Sequence, residues 1–208
     1  AAAIGVGSYL VYIGGLPILI IGLLSVASGI AYTGGPYPLG YHGLGDLFVF
    51  VFFGVIAVMG TYYVQATAVL AAPLPAGIPP GTVTLTALLA SLPVAALSTN
   101  ILVVNNIRDR EEDTTTGKRT LAVRFGYRFS RLQFAALAGL AYVVPGWLWL
   151  AEGFAVTVLL PLLTLPVAVV LTRTVWTETS GAALNPALET TGKLLAAYSA
   201  LFGLGLAL

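Results

Sequence analysis

The sequence has no cysteine, a single histidine, His42, and only 8% charged residues. The missing cysteine excludes disulfides and thiolate metal ligands. So little charge excludes an ordinary soluble domain, where about a quarter of residues are charged. The net charge of +1 gives no global field to attract nucleic acid, so no nucleic-acid partner is expected. Residues 1 to 14 contain neither a basic n-region nor a cleavage-site pattern, which argues against a signal peptide.

What remains is oil. Hydrophobic residues make up 58% of the 208, with a mean hydropathy of +0.96. Several apolar runs of about 20 residues are long enough to cross ~30 Å of hydrocarbon, and they lack the strict alternation of barrel strands. The expected fold is all-α, a polytopic transmembrane helix bundle embedded in membrane lipid. Ala1 to about Gly14 forms a partial helix, broken by Gly14, Gly15 and Pro17. Six full crossings follow, at about 16–31, 46–70, 82–104, 129–150, 154–172 and 188–208, with Pro161 and Pro166 expected to kink the fifth. Between the first two lies a loop from Tyr32 to Asp46, shaped by Gly34, Gly35, Pro36, Pro38, Gly40 and Gly43.

Each crossing reverses the side of the membrane, so the loops near 32–46, 105–128 and 173–188 share one face. Arg108, Arg110, Lys118, Arg119, Arg124, Arg128, Arg131, Arg173 and Lys193 all lie on or next to that face, and the opposite loops carry no Lys or Arg. By the positive-inside rule the charged face is cytoplasmic. The Tyr32–Asp46 loop is thereby placed beside the 105–128 loop, where the two can roof a cavity.

The polar stretch Asn105-Asn106-Ile107-Arg108-Asp109-Arg110-Glu111-Glu112-Asp113 is the organising feature. Four of the eight acidic residues, Asp109, Glu111, Glu112 and Asp113, fall within five positions. Asn105, Asp109 and Asp113 recur at every fourth residue, so on a helix their oxygens stack along one face. Two such carboxylates roughly 6 Å apart repel by ~3 kcal/mol at an effective dielectric of about 20, and a magnesium ion reverses that cost. The plainer alternative is a solvated loop that anchors topology, with Gly117 as a helix C-cap and Lys118 and Arg119 placed by the helix dipole. Arg108, Lys118 and Arg119 equally supply donors suited to phosphate oxygens. His42 reads first as a hydrogen-bonding loop residue. Tyr62 and Tyr63, far along their helix, read first as packing residues.

With Lys118-Arg119-Thr120-Leu121-Ala122-Val123-Arg124-Phe125-Gly126 behind it, this stretch closely resembles the second aspartate motif of the UbiA-type intramembrane prenyltransferases. The loop from Tyr32 through Gly43-Leu44-Gly45-Asp46 resembles that superfamily's connection between its fourth and fifth helices. The same loop with His42, and Gly60-Thr61-Tyr62-Tyr63-Val64-Gln65, are most similar to its 1,4-dihydroxy-2-naphthoate polyprenyltransferase branch, which serves menaquinone synthesis. Members have nine transmembrane helices and two aspartate motifs, the first after the second helix. No such motif precedes Leu16, so residues 1–208 are expected to form one prenyltransferase domain that is N-terminally incomplete, from the tail of the third helix to the ninth.

The resemblance implies transfer of a polyprenyl group from polyprenyl diphosphate to an aromatic acceptor, here the naphthoate, giving demethylmenaquinone at a bacterial cytoplasmic membrane. It implies Mg2+ held by Asp109 and Asp113, with Asn105 in the same shell; Arg108, Lys118 and Arg119 on the diphosphate; and His42, Asp46 and Tyr62 around the acceptor. Rival readings are another acceptor ring (4-hydroxybenzoate, homogentisate or a tetrapyrrole), a cation transporter or channel, and an inactive membrane scaffold. Oligomeric state is left open.

Overall fold

The computed structural model describes residues 2–34 and 38–208. Every regular element in them is helical. Gly35, Pro36 and Tyr37 of the expected Tyr32–Asp46 loop lie outside the described residues.

The first helix, α1 (Ala2–Thr33), contains the expected break as a sharp reversal at Gly15, with φ 64° and ψ −150°. A side chain there would meet the Pro75 carbonyl oxygen at 2.0 Å, so both the dihedral and the space require glycine. The loop after the second helix fills the break. The amide of Leu16 donates to Pro75 O at 3.0 Å, that of Leu74 donates to Tyr12 O at 2.9 Å, and the Tyr63 hydroxyl donates to Gly14 O at 2.8 Å. The backbone groups freed by the break are thereby satisfied, which a chain in a membrane requires.

Helix α2 (Gly45–Leu70) follows a short 3₁₀ turn, Leu39–His42. Its Val49–Ile56 stretch is wound as a π-helix, a local widening that no composition signal announces. Gly54 lies there directly against Ala95, whose Cβ is 2.1 Å from where a Gly54 Cβ would stand. Close approach through small residues is how helices pack when lipid supplies no hydrophobic drive.

Helix α3 (Leu85–Arg108) is the axis of the bundle. The Thr84 hydroxyl caps its start, accepting from the amide of Ala87 at 3.1 Å. Ala95, Ala96, Leu97, Val104 and Ile107 on it are fully buried, packed against α2, α5 (Leu121–Ala151) and α7 (Gly181–Ala207). Between α3 and α5 comes α4 (Arg110–Thr115), and before α7 comes α6 (Val156–Thr177). The kink expected from Pro161 and Pro166 takes the form of a change of winding: 3₁₀ over Val156–Thr164, then α from Leu165 with Pro166 in its first turn.

Helices α1, α2, α3, α5 and α6 are long and apolar enough to cross a membrane. Together they form the membrane-spanning candidates of a polytopic helical bundle. The sixth expected crossing exists as the 27-residue α7, but it is not of that kind. Its first half carries Asn185 and the exposed pair Glu189–Lys193, joined at 2.6 Å, which dilutes the apolar run. The expected crossing from about residue 129 is the part of α5 beyond Gly126, where the helix breaks at φ 79° and ψ 177°. The three charged loops do meet at one end of the bundle. The amide of Arg119 donates to Tyr41 O at 2.8 Å, and Arg131 on α5 reaches the carbonyls of Val175 and Glu178 at the end of α6.

Candidate functional site

The charged end is built on the junction of α3 and α4. Asp109 stands between the helices at φ −91° and ψ 4°, yet the helical ladder continues across it: Asp109 N–H donates to Asn105 O at 2.9 Å, and Asp113 N–H to Asp109 O at 2.8 Å. The fourfold register of Asn105, Asp109 and Asp113 therefore survives the break. Helix α4 ends in a Schellman turn, with Gly117 at φ 78°, its amide on Thr114 O and the Lys118 amide on Asp113 O at 2.9 Å. That turn brings the Lys118 side chain back over the helix it has just left.

Each carboxylate of the register has a cationic partner. Arg108 holds Asp109 in a fork, Nε to Oδ1 at 2.6 Å and Nη2 to Oδ2 at 2.8 Å, while Nη2 also donates to Asn105 Oδ1 at 2.8 Å. The Asn105 amide donates to Asp109 Oδ2 at 3.2 Å. Asp113 is buried, and Lys118 Nζ binds its Oδ1 at 2.8 Å. The Arg108 hydrogen bonds, then its charge and that of Lys118, hold the Asp109 carboxyl below the ordinary carboxylate range. The bond to Asp113 raises Lys118, with the Asp109 charge adding to it. Lys118 is thus coupled to both carboxylates at once.

Two carboxylates and an amide oxygen are hard donors of the kind magnesium accepts, and each carboxylate is paired with a cationic side chain, Asp109 with Arg108 and Asp113 with Lys118. The donor chemistry fits a divalent ion, with Arg108 and Lys118 holding the positions of counter-charge that such an ion would take over. Among the described residues no three His, Asp or Glu side chains group as a metal cluster; Asn105, hydrogen-bonded to Asp109, adds an amide oxygen in the same register.

The Tyr32–Asp46 loop packs against this lid as expected from the topology. Besides the Arg119–Tyr41 backbone bond, Lys118 Nζ lies 5.8 Å from the centre of the Tyr41 ring, and Gly43 abuts the Arg119 carbonyl, where a Cβ would stand 2.9 Å away. His42 Nδ1 pairs with Pro38 O at 2.8 Å. Arg119 places its side chain in the open. Asp46, only 5% exposed, accepts from Gln133 Nε2 at 3.1 Å and from Asn106 Nδ2 at 3.5 Å. That carboxylate is therefore tied to the residue adjoining Asn105. Tyr62 is not brought to this group: it is sixteen residues beyond Asp46 on α2, about 24 Å along the axis at 1.5 Å per residue, and 38% exposed.

Sequence reasoning missed Asn106, Gln133 and Asn185. Asn185, on α7, accepts from Arg108 Nη1 at 2.9 Å and closes the lid onto the last helix. Gln133 carried a legible signal, a lone amide in an apolar crossing. Also unforeseen is Tyr127, held between the guanidinium groups of Arg110 and Arg131 at 4.6 and 5.6 Å, its hydroxyl donating to Glu111 at 3.1 Å.

The UbiA prenyltransferase family model matches residues 1–203. The chain belongs to the UbiA prenyltransferase family. It is 37% identical over 188 residues to the 1,4-dihydroxy-2-naphthoate octaprenyltransferase of Escherichia coli, covering 90% of this chain and 56% of that protein. It is 35% identical over 175 residues to the 1,4-dihydroxy-2-naphthoate octaprenyltransferase of Mycobacterium tuberculosis, 84% of this chain and 54% of that one. To human UbiA prenyltransferase domain-containing protein 1 the identity is 34% over 164 residues, 79% and 40% of the respective lengths. The chain thus spans about half the length of the first two relatives. Within this UbiA family member, the Asn105–Asp113 register and the loop that covers it are the features on which a function is argued.

Proposed function

We propose that the complete protein transfers a polyprenyl group from polyprenyl diphosphate to an aromatic acceptor, 1,4-dihydroxy-2-naphthoate, at a bacterial cytoplasmic membrane with the Asp109–Lys118 lid on the cytoplasmic side. The supporting observation is the lid itself: two carboxylates and an amide in helical register, with Arg108, Lys118 and Arg119 beside them, at the end of an apolar bundle. The names of the 1,4-dihydroxy-2-naphthoate octaprenyltransferase relatives favour the naphthoate over other rings. Seven of the nine Lys and Arg residues, clustered between positions 108 and 131, support the orientation.

Asp109, Asp113 and Asn105 are the residues that would hold Mg2+. When bound, the ion supplies charge neutralisation for the diphosphate. Arg108 and Lys118 then have donors to offer the phosphate oxygens, and Arg119 adds a third cation from the exposed side. The surrounding apolar helices keep water from the allylic carbon as the carbon–oxygen bond breaks. The electron pair of that bond leaves with diphosphate, and the new bond forms to a ring carbon of the acceptor with loss of the ring carboxylate as carbon dioxide. Asp46 and His42, in the covering loop, would orient the acceptor. Residues 1–208 are read as a single domain of this enzyme.

The test is to supply the complete protein with labelled prenyl diphosphate, a panel of aromatic acceptors and a titration of divalent ions. Prenylated naphthoate formed only with divalent ion present is the expected result. Unchanged turnover in Asp109→Asn and Asp113→Asn would remove the lid from the reaction, and preference for another ring would overturn the acceptor.

A further inference from the structure

The cations at the charged end fall into two sets. Arg108, Arg110 and Lys118 each hold a carboxylate, and Arg131 is fixed on two carbonyls. Arg124 and Arg128, like Arg119 and Arg173, are exposed, and none of these four is in the ion pairs found among the described residues. Interleaved with Arg124 and Arg128 are Phe125, 60% exposed, and Phe129, 40% exposed, whose ring centres are 5.0 Å apart. These two arginines and two phenylalanines flank Gly126, where the initial turn of α5 breaks away from the membrane-crossing part. Tyr127, clasped between Arg110 and Arg131, pins that break to the lid.

Two exposed aromatic rings beside two unmatched guanidiniums, at the charged end of a candidate membrane-spanning helix, match the two layers of a bilayer surface. The rings suit the acyl boundary and the guanidiniums the phosphate plane above it. A soluble phosphate compound would satisfy the cations and leave the rings in water. We propose that Arg124 and Arg128, with Phe125 and Phe129 between them, form a headgroup site for an anionic phospholipid. Arg124 borders the covering loop at Gly43, but none of the four side chains bonds to Asp109 or Asp113, and the site does not depend on the reaction proposed above.

The test uses the full chain in nanodiscs containing equal parts phosphatidylglycerol and phosphatidylcholine, with the lipids retained after gentle detergent extraction counted by native mass spectrometry. The wild-type chain is expected to keep phosphatidylglycerol over phosphatidylcholine by on the order of tenfold, as two basic groups near an anionic surface allow. Arg124→Gln/Arg128→Gln should bring the ratio close to one, whereas Arg124→Lys/Arg128→Lys keeps most of it. Phe125→Ala/Phe129→Ala should lower retention of both lipids and leave the ratio. Circular dichroism identifies any variant that has lost its helices; for those, raising the salt on the wild-type chain serves instead, and should lower the ratio through screening. A wild-type ratio near one, a ratio unmoved by the glutamine pair or by salt, or displacement of the lipid by millimolar inorganic phosphate would overturn the assignment.

Discussion

Arg108 grips both oxygens of the adjacent Asp109 and, through its remaining nitrogen, the side chain of Asn185, 77 residues further on. One guanidinium therefore joins the end of α3 to the start of α7 and sets the charge on a register carboxylate. Replacing Asn185 by Ala removes one charge-assisted hydrogen bond, partly exposed, at a cost of about 1 kcal/mol or less. The expected signature in the complete protein is a raised KM for prenyl diphosphate with a smaller change in kcat, because the lid is loosened but keeps its carboxylates. Steady-state kinetics with varied prenyl diphosphate decide it.

The two register carboxylates should differ in what they tolerate. Asp109→Asn and Asp113→Asn are each expected to reduce turnover by about 10²–10³, the usual loss when a preorganised electrostatic group is removed. Asp113 is buried and its Lys118 partner half-exposed, so its loss should also lower the melting temperature, and Asp109→Asn, which removes a more exposed pair, should lower it by less. Diphosphate release and a thermal melt on the same preparations separate the two effects.

The Asp109 carboxyl lies below its ordinary pKa because of Arg108, so its contribution to stability is complete above the unfolded value of about 4. That contribution is lost only as pH falls through the depressed folded value. Lys118 has the opposite sign: its pKa is raised, its contribution is complete below the ordinary lysine value, and it fades as pH rises through the raised one. Between these limits the lid should melt at a constant temperature. In Arg108→Gln the acid limb should move up toward the ordinary carboxylate range, and a limb that stays put would show that Arg108 does not set the Asp109 charge. Thermal melts across pH 2 to 11 provide the measurement.

Most of the architecture was legible because apolar length, Gly–Pro breaks and charge asymmetry are properties of sequence. The break near Gly15, five of the six expected crossings, the gathering of charged loops and the fourfold register all followed from them. Winding was not: the π stretch Val49–Ile56 and the 3₁₀ stretch Val156–Thr164 depend on how α2 meets Ala95 and how Pro161 is accommodated, which are tertiary facts. Gln133 and Asn185 were missed for a related reason. Each is remote in sequence from the group it serves, Asp46 and Arg108, and only the packing of α5 and α7 around α3 brings them there. Tyr62, grouped with Asp46 through the family resemblance, stands sixteen residues beyond it on the same helix, Gly45–Leu70.

The covering loop and the lid make separable predictions through Asp46. Its carboxylate accepts from Gln133 and Asn106 at the top of the bundle. Asp46→Asn preserves size but removes the charge and exchanges one acceptor oxygen for a donor that faces other donors. If the loop orients the acceptor, this variant should raise KM for the aromatic substrate by roughly tenfold, the worth of about one hydrogen bond to a charged group, while KM for prenyl diphosphate stays within twofold. Gln133→Leu should reproduce part of the same shift, because it removes the bond on Asp46 without altering the lid. A change confined to prenyl diphosphate would instead assign Asp46 to the Asp109–Asp113 group, and equal loss in both would mark it as a structural tie between α2, α3 and α5.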